Sequence, residues 1–157
     1  MKLSTVRCLI LACGNTLRGD DGVGPWLAQW AEDRFSGSTH LRILTRQQWT
    51  PELTEDIAQA ESVLFIDCAV NTAPGSVHLE DIAAAAISVQ PSGHHMDATQ
   101  LLALTRELYN ALPHIAIQLT VGAGSTEMGE QFSYAVEAAL PRACSQMEET
   151  IQQLLGN

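Results

Sequence analysis

The stretch Leu9-Ile10-Leu11-Ala12-Cys13-Gly14-Asn15-Thr16-Leu17-Arg18-Gly19-Asp20-Asp21-Gly22-Val23-Gly24-Pro25-Trp26 decides how the chain folds. Its apolar beginning reads as a buried strand, which empties into a loop with four glycines and two adjacent carboxylates. A helix follows, whose inward face is Val23, Trp26, Leu27, Trp30 and Ala31 at i, i+3, i+4, i+7 and i+8. Pro25 falls in the first turn, where a missing N–H is harmless. Glycine-rich strand-to-helix loops commonly cradle phosphate on free backbone N–H groups. Here Asp20 and Asp21 stand where the phosphate would sit, and they repel it. The spacing of Gly14, Gly19, Gly22 and Gly24 also fits neither the dinucleotide fingerprint nor the P-loop. Carboxylates delivered to a strand end suit a cation or a polarised water. They also suit a helix N-terminus as first-turn acids, and spacing alone leaves both readings open.

Outward from this loop, the chain reads as alternating strands and helices. Val6 to Ala12 is the first strand and Gly22 to about Phe35 the first helix. Leu41 to Thr45 forms a second strand, and Gln47-Gln48-Trp49 a loop whose aromatic has no evident core partner. Thr50 caps a helix with Pro51 at its first position, running to about Ala60. Ser62 to Asp67 is apolar until its last residue and so is buried on both faces. Ser76 to Glu80 alternates as an edge strand after the Pro74-Gly75 turn. Ile82 to Val89 is weakly specified, a loop with one helical turn.

Asp97-Ala98-Thr99-Gln100 resembles a capping box, opening a helix with Leu101, Leu104, Thr105 and Leu108 on its inward face. Ile115 to Val121 is the last strand. Ser133 starts a long helix with Val136, Leu140, Ala143, Met147, Ile151 and Leu154 inward, which Pro141 should kink or restart. The pattern predicts one α/β domain over residues 1–157: three α/β/α layers around a five-stranded, mostly parallel sheet with one antiparallel edge strand.

Composition sets limits on function. At 157 residues, with 46% apolar and 17% charged side chains, the chain can bury a sizeable core. It has no run of 18 apolar residues, and its start, Met1 to Cys8, lacks a signal-peptide core. A cytoplasmic monomer is expected. The net charge of −10 argues against nucleic acid or an anionic membrane as partner. It is compatible with a metal cation or a basic protein surface. Cys8, Cys13, Cys68 and Cys144 show no zinc or redox spacing and read as reduced, structural thiols.

Open α/β sheets bind ligands at the carboxyl ends of strands, where strand order reverses. Asp20 and Asp21 follow the first strand, Asp67 ends the third, and His94 and His95 precede a helix on the same side. Two carboxylates and an imidazole from separate loops make a candidate divalent-metal site, and mixed N/O donors do not rank nickel, zinc, cobalt and iron.

Gly14-Asn15-Thr16-Leu17-Arg18-Gly19-Asp20-Asp21-Gly22-Val23-Gly24 resembles the N-terminal signature of the hydrogenase maturation endopeptidases. Leu119-Thr120-Val121-Gly122 and Phe132 to Glu137 are similar to that family's last strand and terminal helix. The departure is Ala123-Gly124-Ser125, where bulkier segments are usual. The resemblance implies an endopeptidase that removes the C-terminal extension of a nickel–iron hydrogenase large-subunit precursor after nickel insertion. Nickel would be supplied by that precursor, with other divalent metals able to substitute. The resemblance maps the metal contacts onto Asp21, Asp67 and His94, with His95 as the alternative to His94. Asp20 or Asp21 would be the catalytic carboxylate if the metal only docks the substrate.

Rival classes are a non-catalytic chaperone that senses metal in the precursor, and a related peptidase such as one processing spore proteins. A serine hydrolase is disfavoured because Ser125 lacks the nucleophile-elbow pattern. A cysteine protease is disfavoured because Asp67 would raise, not lower, the pKa of Cys68.

Overall fold

The computed structural model describes residues 6–86 and 96–156. Five strands, β1 (Val6–Cys13), β2 (Leu41–Arg46), β3 (Ala60–Ala69), β4 (Val77–Asp81) and β5 (Ile115–Gly122), form one sheet in the order β2-β1-β3-β5-β4. All neighbours pair in parallel except the edge strand β4, which runs antiparallel to β5. The helices are α1 (Val23–Arg34), α2 (Leu53–Ala58), α3 (Ala98–Tyr109) and α4 (Tyr134–Leu154).

The period-2 alternation of β1 and β3 divides their apolar side chains between two cores. Cys8, Ile10, Ala12, Leu64 and Ile66 pack with Leu27, Val136, Met147 and Ile151 of α1 and α4. Leu9, Leu11, Val63 and Phe65 pack on the opposite face with Leu53, Ile57, Leu101 and Leu102 of α2 and α3. The three-layer expectation therefore holds. Among the described residues, no helix is long and apolar enough to cross a membrane.

Several local expectations need correction. Trp26 is 39% exposed, because Leu27 takes the core position and the indole lies edge-on against Phe132 at 6.4 Å. Leu108 is 59% exposed: burial on α3 ends at Thr105, and the last turn from Glu107 stands in solvent. Helix α2 starts at Leu53, not at Pro51, because residues 50–53 close a tight turn. The Thr54 hydroxyl and N–H both donate to the Pro51 carbonyl, at 2.7 and 3.1 Å, so this turn is closed by i→i+3 bonds and leads directly into the helix.

Pro141 does not restart α4, which continues from Tyr134 to Leu154. Both the proline and Glu137, whose carbonyl it strips of a donor, lie on the exposed side of the helix. Strand β3 extends to Ala69, two residues past Asp67, because its pairing with β5 continues to Ala69 opposite Gly122. Residues 82–86 carry no regular structure, and 87–89 lie outside the described residues.

Trp49 has a core partner after all. It is 7% exposed and sits edge-on against Phe65, with ring centroids 5.5 Å apart. Phe65 thus anchors the α2/α3 face and the loop before α2 together. Phe65→Ala should cost about 3–5 kcal/mol in urea unfolding with an unchanged m value. A loss below 1 kcal/mol would mean that this face repacks freely.

Candidate active site

Strand order reverses between β1 and β3, since β2 lies on one side of β1 and the path to β3 and β5 leads to the other. Both carboxyl ends at this switch point deliver acids. The loop leaving β1 turns at Gly14, whose φ is +155°, and a methyl group there would collide with the Asp21 carbonyl oxygen. That close approach lets the Asn15 N–H donate to Asp21 Oδ2 at 2.7 Å. Residues Gly19–Gly22 then form a single 3₁₀ turn that carries Asp20 and Asp21.

The two adjacent acids have different surroundings. Asp20 is completely buried, and its oxygens accept four hydrogen bonds from the loop between β5 and α4. Gly124 N–H, Ser125 N–H and the Ser133 hydroxyl donate to Oδ2 at 2.7, 2.9 and 2.7 Å, while Ser133 N–H donates to Oδ1 at 2.7 Å. Burial alone would push this carboxyl up, but the donors from Ser133, Ser125 and Gly124 outweigh it and hold the pKa below the ordinary carboxylate range. Ser133 is also the N-cap of α4, accepting from Val136 N–H at 3.4 Å. Asp20 therefore sits at a helix N-terminus, where negative charge is favoured.

Asp21 is half-buried and opens on a cleft of about 950 Å³. Asp67 of β3 lines the same cleft, together with Cys13, Cys68, Arg18 and Gln118, and Asp20 is not among its walls. Trp49, Val70 and Met96 supply apolar surface there. Burial pushes the Asp67 carboxyl up to about 6, the Cys68 N–H that donates to its Oδ1 at 2.7 Å opposes this, and the charge of Asp21 adds to it.

Cys13 and Cys68 are pushed up to about 12, chiefly by burial and further by the carboxylates of Asp21 and Asp67. They stay protonated thiols at neutral pH, in keeping with the expectation against a thiolate nucleophile. All four cysteines are free.

The expected site is thus partly assembled. Asp21 and Asp67 come together, Asp20 turns inward, and His94 and His95 lie outside the described residues. Met96 and Asp97, which follow them, line the cleft, and Asp97 makes the expected capping box with Gln100. Among the described residues, no three acidic, cysteine or histidine side chains form a metal cluster. Sequence reasoning missed Asn15 and Ser133, which hold the two acids. It also missed Trp49 and Gln118 in the walls. Only Asn15, next to the glycine turn, carried a local signal.

A family model described as hydrogenase maturation protease matches residues 48–150, which include Asp67 and begin after the Asp20–Asp21 loop. No curated protein sequence matches significantly. Among solved structures, the hydrogenase maturating endopeptidase HybD from Escherichia coli is 23% identical, with a TM-score of 0.80 over 94% of this chain and 93% of that one. The [NiFe] hydrogenase maturation protease HycI from Thermococcus kodakarensis is 20% identical, with a TM-score of 0.70 over 98% and 95%. A hydrogenase 2 maturation peptidase from a Thaumarchaeota archaeon is 22% identical, with a TM-score of 0.66 over 93% and 98%. These likenesses establish the fold.

The raised Asp67 carboxyl gives a stability prediction. The native state binds its proton more tightly than the unfolded chain, so stability falls as pH rises from the ordinary value of 3.8 to about 6. Above that window the whole cost of the buried charge is present. Asp67→Asn, which keeps an acceptor for Cys68 N–H, should be more stable than the parent at pH 7.5 by up to about 3 kcal/mol. The advantage should disappear by about pH 4. Equal denaturation midpoints at pH 7.5 would show that the charge is compensated.

Proposed function

The chain belongs to the hydrogenase maturation protease family, and on that premise we propose that it removes the C-terminal extension of a nickel–iron hydrogenase large-subunit precursor after nickel insertion. The nickel is cargo of the substrate. The observation carrying this reading is the pair Asp21 and Asp67, delivered by separate strands to one cleft at the switch point. The charge of Asp21 raises the cost of ionising Asp67, and a cation arriving with the substrate would relieve that cost. Hard carboxylate oxygens and an imidazole from His94, or His95, would complete the coordination of a metal that the precursor already partly holds.

Peptide-bond cleavage needs a polarised carbonyl, an activated water and a proton for the departing amine. The nickel can polarise the carbonyl or acidify the water. If it only docks the precursor, the carboxylate facing the cleft takes the water's proton and returns it to the amine as the C–N bond breaks. Of the two adjacent acids, we assign that task to Asp21, which faces the cleft. Asp20 is a positioning residue: its oxygens already accept four donors, and it acts through the loops it joins.

Mass spectrometry of a large-subunit precursor, incubated with the protein with and without nickel loaded, tests this. The loaded precursor should lose a C-terminal peptide and the nickel-free one should stay whole. Asp67→Ala should reduce the release at least about 100-fold while the thermal melt stays cooperative. An intact precursor that nevertheless binds would favour the chaperone reading and overturn the protease one.

A further inference from the structure

Beside the cleft the chain builds a second feature. The loop after β1 and the loop before α4 run side by side and are bridged at Arg18 and Gly129. Gly19 N–H donates to the Gly129 carbonyl at 2.8 Å, Gly129 N–H to the Leu17 carbonyl at 2.9 Å, and Asp20 N–H to the Ser125 carbonyl at 2.9 Å. With the Asp20 carboxylate also bound to this second loop, the two segments form a braced ridge. Arg18 and Thr126 on one side line the cleft. Gly19 and Ser125 on the other line a separate depression of about 490 Å³, which Glu127, Met128 and Glu130 complete.

The ridge exposes two large apolar side chains at adjacent positions of the bridged loops. Leu17 is 52% exposed and Met128 80% exposed, and they immediately precede the two bridged residues. Ordered, exposed apolar groups beside acids mark an interaction surface more than a solvated loop. Methionine adapts its shape to a partner at little cost.

Resting on the proposed function, we infer that this ridge docks a segment of the precursor that bears apolar and basic side chains and lies outside the stretch entering the cleft. Two observations and one general requirement carry this. The ridge shares a wall with the cleft, so a protein whose tail enters the cleft must lie against it. A specific protein–protein contact buries about 800 Å² on each side, so an anchor outside the cleft is needed. Glu127 and Glu130, on a chain of net charge −10, select a basic partner. The bracing means that little ordering entropy is lost on docking.

The test uses the full chain and the nickel-loaded precursor. In the double variant Leu17→Ser/Met128→Ser, KM for the precursor should rise about tenfold, with kcat within about twofold. Glu127→Gln/Glu130→Gln should weaken the salt dependence of precursor binding. Unchanged KM and unchanged salt dependence in the two variants would overturn the inference. If the parent protein binds the precursor without cutting it, the proposed function fails, and the dissociation constant decides on docking instead. A tenfold rise in the serine variant supports the ridge, and no rise overturns it. Absence of any binding by the parent protein would overturn both.

Discussion

One buried carboxylate holds the site together. Asp20 has no contact with solvent, yet it stays ionised because two backbone N–H groups of the loop after β5, and both the N–H and hydroxyl of Ser133, converge on it. A buried charge without such donors would cost several kcal/mol, so the loops must adopt the one geometry that supplies all four. The same interaction fixes the start of α4, because the Ser133 hydroxyl that donates to Asp20 also accepts the Val136 N–H in the first turn of the helix. Cleft wall, ridge and helix entry are therefore set by a single charge.

Neighbouring acids come to differ this much through the 3₁₀ turn that carries them. With about three residues per turn, consecutive side chains point about 120° apart. If Asp20 points into the protein, Asp21 must point elsewhere, and in this chain it points to the cleft. Gly14 completes the arrangement, since only a residue without a side chain allows the Asp21 carbonyl so close. The doublet at the end of β1 thus divides into one acid that builds the site and one that faces the substrate. Asp67 joins the second from the other strand of the switch point.

Much of this could be read from the residues in order. The apolar runs of β1 and β3, the alternation of β4 and the capping box at Asp97 gave strands and helix in the right layers, because those signals are local. The convergence of Asp21 and Asp67 was legible for a topological reason: parallel strands put their carboxyl ends on one side. Asp20's partners were not legible, as they lie over 100 residues away and are mostly backbone N–H groups, which every residue type carries. Trp49 looked partnerless because Phe65 faces it across the fold. Trp26 and Leu108 matched the helical period yet stay partly exposed, since periodicity names a face without saying how far the neighbouring layer extends over it.

Paired thermal melts and precursor-processing assays on Asp20→Asn and Asp21→Asn separate the roles of the two adjacent acids. Asp20→Asn, which turns an N–H donor toward donors, should lose about 3–5 kcal/mol of stability. Asp21→Asn, which keeps an acceptor for Asn15 N–H and relieves the charge beside Asp67, should melt no lower than the parent but no longer process the precursor. An Asp20→Asn protein as stable as the parent but inactive, or an Asp21→Asn protein that still cuts, would contradict this assignment of roles.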